Sequence, residues 1–564
     1  MKFEEFTYTR PDLGEVTARF EKALEKFRNA GSLEEQNAAM NEINGLRNDV
    51  NTMFNLCYIR HSIDTEDEFY KTEQDYLDEL APQIEGLVTK YYEALVASPF
   101  RDELENKWGR QLFALAEAQL KQFSSEIVPL MQKENKLSTE YTKLVASAKI
   151  MFDGEKRTLA QLDAFTESKD REIRKRASEA KFGFFAEHGE EFDRIFDDLV
   201  KVRTEIAHKL GYENFVELAY YRMFRTDYDS KMVAAFREQV RKYIVPTATK
   251  LKERQKERIG VDMLKYYDEP FNFKSGNPAP KGAPEWIVEN GQKMYDELSP
   301  ETGGFFRFMI ENNLMDLVAK KGKASGGYCT YIENYRTPFI FSNFNGTSGD
   351  IDVLTHEAGH AFQVYASRHF EIPEYNWPTY EACEIHSMSM EFFTWPWMEL
   401  FFQEDTDKYK FSHLSSSLLF LPYGVSVDEF QHWVYENPDA TPAERKRQWR
   451  EIEKKYLPHK DYDGNHYLEE GGFWQRQAHI YNSPFYYIDY TLAQICAFQF
   501  WKRSRENKED AWNDYVKLCK LGGSMSFTEL VKQANLISPF EEGCVQSVIG
   551  EIESWLGSVD DQNL

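Results

Sequence analysis

The sequence predicts a mainly α protein carrying one small β-sheet. Three observations support this: long stretches with apolar residues at helical spacing, a single run of strand formers between glycines, and brief Pro- and Gly-rich interruptions. Hydrophobic residues make up 42% and charged residues 29% of the 564 positions, a globular composition.

Leu13 to about Ala146 reads as successive amphipathic helices with breaks at Gly31-Ser32 and Ser98-Pro99. Residues 1–165 form an N-terminal helical region with no ligand cluster and no glycine-rich phosphate loop, and residues 166–564 form a second region. Asp170 to His208 continues in helical style with a solvated charged face. Residues 264–286, with Pro270, Pro278, Pro280 and Pro284 among Gly276 and Gly282, read as an irregular loop or hinge. Helical spacing resumes near Trp286 and runs to Leu317. From Lys321 to Asn345 the strand formers Tyr328, Thr330, Tyr331, Phe339, Ile340 and Phe341 are bounded by Gly322, Gly326, Gly327 and Gly346. This is the expected sheet, and an edge strand in it is suited to bind an extended peptide by strand addition. After Glu391 the chain is aromatic-rich and helical to about Trp449. A last aromatic helix, carrying Tyr486, Tyr487 and Tyr490, follows Pro484.

Charge narrows the partners. The 68 basic and 94 acidic residues give a net charge of −26, a field that disfavours nucleic acid and anionic membranes. No apolar run is long enough to span a bilayer, and Met1-Lys2-Phe3-Glu4-Glu5-Phe6 lacks the features of a secretion signal. The six scattered cysteines read as reduced thiols, so a cytoplasmic chain is expected.

The chemistry centres on Thr355-His356-Glu357-Ala358-Gly359-His360, within a stretch whose Ile351, Leu354, Ala358, Ala361 and Phe362 follow helical spacing. Residues i and i+4 share a helix face about 6 Å apart along the axis. His356 and His360 are thus able to direct two nitrogens at one Zn²⁺, while Glu357, one step around, is placed to contact a water at the metal. A third His six residues after His360 would mark one class of zinc protease, but that position is Ala366. The third ligand is sought in a second helix after Pro378, where Glu384, Ser387 and Glu391 share a face. Spacing favours Glu384, with His369, Glu381 and His386 as competitors, and Glu391 is suited to accept the other ring N–H of a ligand histidine.

His356-Glu357-Ala358-Gly359-His360 followed by Glu384-Ile385-His386-Ser387-Met388-Ser389-Met390-Glu391 resembles the thimet oligopeptidase and oligoendopeptidase F family, and more closely its oligoendopeptidase F branch, including Pz-peptidases. Lys323-Ala324-Ser325-Gly326-Gly327-Tyr328-Cys329 and Phe339 to Phe344 support the resemblance, as do His479 and the stretch Phe485 to Tyr490. It covers roughly Asp170 to the C-terminus. The resemblance implies two largely helical halves enclosing a deep substrate channel. It also implies one Zn²⁺ per chain on His356, His360 and Glu384, and Glu357 as general base. Tyr490, with His479 and either Tyr486 or Tyr487, is implied as donor to the oxyanion. Gly326, Gly327, Tyr328, Phe341, Ser342 and Asn343 are implied to hold substrate backbone. The expected function is a zinc endopeptidase of short unfolded oligopeptides. An exopeptidase of the same chemistry and a non-catalytic metal-containing scaffold that binds peptides are the alternatives.

Overall fold

A computed structural model of the chain describes residues 1–320, 322–324 and 326–564, with the side chains of Ser125 and Ala160 outside the description. Lys321 and Ser325, which the sequence places in the strand region, also lie outside it.

The chain is mainly α. Helices Leu13–Asn29, Leu33–Ile63 and Glu68–Val96 open the molecule. Each starts where a side-chain oxygen accepts an otherwise unpaired helix N–H: Asp12 from Glu15, Ser32 from Glu35, and Asp67 from Phe69 and Tyr70. Their apolar faces form a core of their own around Phe20, Phe27, Ile43 and Tyr91. Ile372 and Tyr375, from the turn that precedes the helix Tyr380–Phe393, close that core. The first hundred residues are thereby tied to the segment that carries Glu384. Arg47 and the Tyr92 hydroxyl reinforce the tie by meeting the Glu374 carboxylate at 2.7 Å and 2.5 Å. The helix Val128–Ala146 instead places Leu137, Tyr141 and Leu144 in the main core, which continues to Leu556.

The structure departs from the sequence reading in two places. Ile150–Phe152 (β1) and Glu155–Arg157 (β2) form a second, two-stranded antiparallel sheet. Its turn is Asp153-Gly154, with φ of +49° and +80°, the pair of left-handed residues that a tight hairpin requires. The helical stretch expected from Trp286 to Leu317 also ends early. Helices Pro284–Leu298 and Pro300–Glu311 are separated at Ser299-Pro300 and followed by a strand, Met315–Val318 (β3).

β3 belongs to the expected sheet with Tyr328–Ile332 (β4) and Thr337–Phe344 (β5). The order is β3-β5-β4, with β3 parallel and β4 antiparallel to β5. β5 is therefore central, which accounts for its run of buried apolar residues. It leads into the helix Gly349–Ser367, whose start is secured by the Asp350 carboxylate accepting the N–H groups of Asn345 and Gly346 at 2.9 Å and 2.8 Å.

Candidate active site

His356 and His360 project from the helix Gly349–Ser367, and Glu384 projects from Tyr380–Phe393. The two helices pack closely because of Gly359. A Cβ there would lie 2.7 Å from the His386 carbonyl oxygen and 2.7 Å from Ser387 Cα, closer than any side chain tolerates. The contact brings Glu384 Oε2 to 3.3 Å from His356 Nε2 and 3.7 Å from His360 Nε2. One ligand atom from each of the three residues lies within 4.8 Å of the others. Of the competitors for this position, His386 is fully buried with Nδ1 3.6 Å from Cys519 Sγ. Glu381 is buried beside Asp489. Neither joins the group.

The protonation of these groups suits a cation. Burial alone would raise Glu384, but His356, His360 and Ser387 outweigh it and hold its pKa down to about 2. Burial lowers His360 to about 4, so its ring is neutral. Burial also disfavours charge on His356, yet hydrogen bonds and charge from Glu384 and Glu391 raise its pKa well above the ordinary value. A position that attracts a proton between two carboxylates attracts a metal ion for the same electrostatic reason. Two imidazole nitrogens and one carboxylate oxygen are a donor set that zinc accepts, leaving a fourth position for water or substrate. The residues present therefore fit a resident Zn²⁺.

Behind His356 lies a relay only partly foreseen from the sequence. His356 Nδ1 donates to Glu391 Oε1 at 2.6 Å, and the other oxygen of Glu391 accepts from His413 Nε2 at 2.7 Å. Trp395 Nε1 in turn points at His413 Nδ1 from 3.1 Å. An indole N–H only donates, so His413 Nδ1 must accept and its own proton sits on Nε2, facing Glu391. Glu391 then accepts two N–H bonds, the tautomer of His356 is set, and Nε2 is turned to Glu384. Glu391 was expected in this role. His413 and Trp395 carry no spacing signal that would have marked them.

Glu357 is buried, and its pKa is pushed up to about 7, chiefly by desolvation, with Glu384 and Glu391 adding to the rise and His356 opposing it. Gly327 lies beside it: a Cβ there would fall 3.8 Å from Glu357 Oε1 and 3.3 Å from the Phe341 carbonyl oxygen. The outer edge of β4 has no strand partner among the described residues, and Gly326, Gly327 and Tyr328 lead into it. Phe341 and Ser342 are different. Both are buried on the central strand, where Phe341 is paired with Asp316 on β3 and Tyr328 on β4, while Ser342 lies just past the last β4 pair. Asn343 uses its amide to donate to the carbonyls of Ala324 and Gly326, at 2.8 Å each.

The tyrosines separate as well. Tyr486, which caps the helix Tyr487–Glu506, donates its hydroxyl to Glu384 Oε1 at 3.4 Å. Tyr490 packs on Tyr486 at 5.0 Å between ring centres, and burial pushes its pKa up to about 12, so it is a donor at neutral pH. Tyr487 packs against Phe420 and Tyr423 and also lies 5.0 Å from the His479 ring and 5.7 Å from that of Tyr490. His479 lies 6.0 Å from both Tyr486 and Tyr490. Its Nδ1 accepts from Gln477 Nε2 at 2.8 Å, which leaves the Nε2 proton free to be donated.

Comparison with known proteins gives matches over most of the chain. A model of the Peptidase M3 N-terminal domain matches residues 3–123, and one of Peptidase family M3 matches residues 164–275 and 294–548, so the match extends beyond the part in which the motifs lie. The chain is 26% identical over 424 residues to an oligoendopeptidase F homolog of Borreliella burgdorferi, covering 70% of this chain and 69% of that one. It is 22% identical over 557 residues to oligopeptidase PepF of Bacillus subtilis, covering 90% and 79%. The solved structure of Pz peptidase A with inhibitor 2 is 72% identical, covers 100% of both chains and superposes with a TM-score of 0.93.

Proposed function

The chain belongs to peptidase family M3, and on that premise we propose that it is a zinc endopeptidase cleaving internal bonds of short, unfolded oligopeptides. The observation that supports the reading is the convergence of His356, His360 and Glu384 within 4.8 Å, with Glu357 next to the first imidazole. These three residues would hold one Zn²⁺ per chain, which, when bound, polarises a carbonyl and lowers the pKa of water from 15.7 to about 7. The Glu357 carboxylate takes the proton of the attacking water and delivers it to the leaving nitrogen. The Tyr490 and Tyr486 hydroxyls and the Nε2–H of His479 donate to the developing oxyanion. The backbone from Gly326 to Tyr328 holds an extended substrate beside Glu357. Regions 1–165 and 166–564 would wall the substrate channel that the family resemblance implies, which would exclude folded chains.

An internally quenched peptide blocked at both ends tests the reading. Cleavage between the blocks, abolished by a chelator and restored by zinc, is expected. Activity that needs a free terminus would make the enzyme an exopeptidase. Glu357→Gln should keep its zinc and lose kcat by about 10²- to 10⁴-fold; full turnover in that variant would remove the general base.

A further inference from the structure

Phe485 directly precedes the tyrosines and has a φ of +67°, a left-handed conformation that is an outlier for a bulky residue. Such strain persists only where the surroundings over-determine it. Here they do. Phe485 is fully buried among the rings of Phe215, Tyr220, His432 and Tyr435. Its N–H donates to Gln431 Oε1 at 2.9 Å, and its carbonyl accepts from Arg225 Nη2 at 2.5 Å. The same Nη2 donates at 2.8 Å to Asp489 Oδ1, in the first turn of the helix that carries Tyr490.

The Arg225 and Asp489 side chains are wholly inaccessible, and Arg225 Nε, Arg225 Nη1 and Asp489 Oδ2 have no hydrogen-bond partner. A buried ion pair left this incomplete is a poor device for stability, because desolvation of both charges is not fully offset. Its geometric effect is large, however. Arg225 bridges the strained Phe485 to the first turn of the helix, while Gln431 holds the peptide group on the other side of the same residue. The angle at which the helix starts is thereby determined, and with it the direction of Tyr486, whose hydroxyl reaches Glu384 at 3.4 Å.

We propose that Arg225 and Gln431 are positioning residues for catalysis: they clamp Phe485 in its strained conformation so that the hydroxyls of Tyr486 and Tyr490 are held toward Glu384 and the reacting carbonyl. The inference rests on the donor role given to those tyrosines above. Neither clamp residue touches substrate. Each acts through the start of the helix, where a displacement of about 1 Å is enough to lower a rate by up to 10²-fold.

The test is a mutant cycle on the zinc-loaded full chain with the end-blocked peptide. Arg225→Lys keeps the charge but loses the bridging geometry, and Gln431→Met removes the acceptor of the Phe485 N–H. Each should lower kcat about tenfold with KM within about twofold, at unchanged zinc content and circular dichroism. In a Tyr486→Phe/Tyr490→Phe background the same substitutions should have no further effect, because the hydroxyls they aim are gone. Equal loss in both backgrounds would mean a structural pin only and would overturn the proposal. If Arg225→Lys does not fold, Gln431→Met carries the cycle with the same two outcomes. If the tyrosine substitutions alone leave kcat unchanged, the donor role fails and the clamp with it. If they lower kcat but the cycle is additive, only the clamp fails.

Discussion

Replacing His413 by Phe should weaken zinc binding about tenfold although His413 is no ligand. The Glu391 carboxylate has two N–H donors, His356 Nδ1 at 2.6 Å and His413 Nε2 at 2.7 Å. The side chains of His413 and Glu391 are only 7% and 14% exposed, so water has little access to take the place of a lost donor. A hydrogen bond to a charged group contributes about 1.5–3 kcal/mol, which at about 1.36 kcal/mol per tenfold corresponds to roughly 10- to 150-fold. Because His413 is one group removed from the ligand, part of that loss is absorbed as stability and the lower end is expected for affinity. The assay is a competition titration of apo-protein against a chromophoric zinc chelator, parent and variant side by side. Glu391→Gln, which touches His356 directly, should fall by about 10- to 100-fold. Folded His413→Phe protein with zinc affinity within twofold of the parent would refute the relay and leave His413 as packing.

Three further outcomes are expected. Glu384→Ala should lose most of its zinc after dialysis, measured by metal analysis; unchanged content would return the ligand role to His386 or Glu381. Gly359→Ala should destabilise by about 1–3 kcal/mol through overpacking against the His386 and Ser387 backbone, and should reduce zinc affinity as well by displacing Glu384. A thermal midpoint and affinity equal to the parent's would show that the two helices tolerate the added methyl. Glu333, held between sheet and N-terminal helices with Asn55 donating to it at 3.2 Å, is pushed up to about 7, chiefly by burial. Its unfolded value is about 4.3, so the folded state binds the proton more tightly. The ionised form therefore costs stability above about pH 7, and that cost disappears below about pH 4. Glu333→Gln should raise the thermal midpoint at pH 8 and leave it unchanged near pH 4; the same shift at both would refute the assignment.

Much of the site was legible in the sequence because its parts are local. His356 and His360 are one helical turn apart, so periodicity alone places both nitrogens on one face. Glu384, Ser387 and Glu391 share a face by the same rule, and the Ser387 hydroxyl does donate to Glu384 Oε2 at 3.0 Å. The β1–β2 hairpin was also readable in principle, since Asp153-Gly154 is a strong turn signal, but its strands are too short to show an alternating pattern. β3 was lost because Met315–Val318 continues an apolar run that a helix would equally explain. The substrate role of Phe341 and Ser342 rests on the family resemblance, and the order β3-β5-β4, which places them on the central strand, is a matter of tertiary pairing.

By itself the sequence determined the mainly α architecture, the two helices that carry the donor set and the chemistry those donors suit, because each follows from spacing along a single element. Only the tertiary structure decided which groups from distant elements meet. Gly359 lets the two helices touch, Trp395 and His413 stand behind Glu391, Tyr486 rather than Tyr487 faces Glu384, and Arg225 reaches across 260 positions to the Phe485 carbonyl. The reason is physical: periodicity fixes direction within an element, whereas contacts between elements depend on how whole faces pack, and no local pattern encodes that.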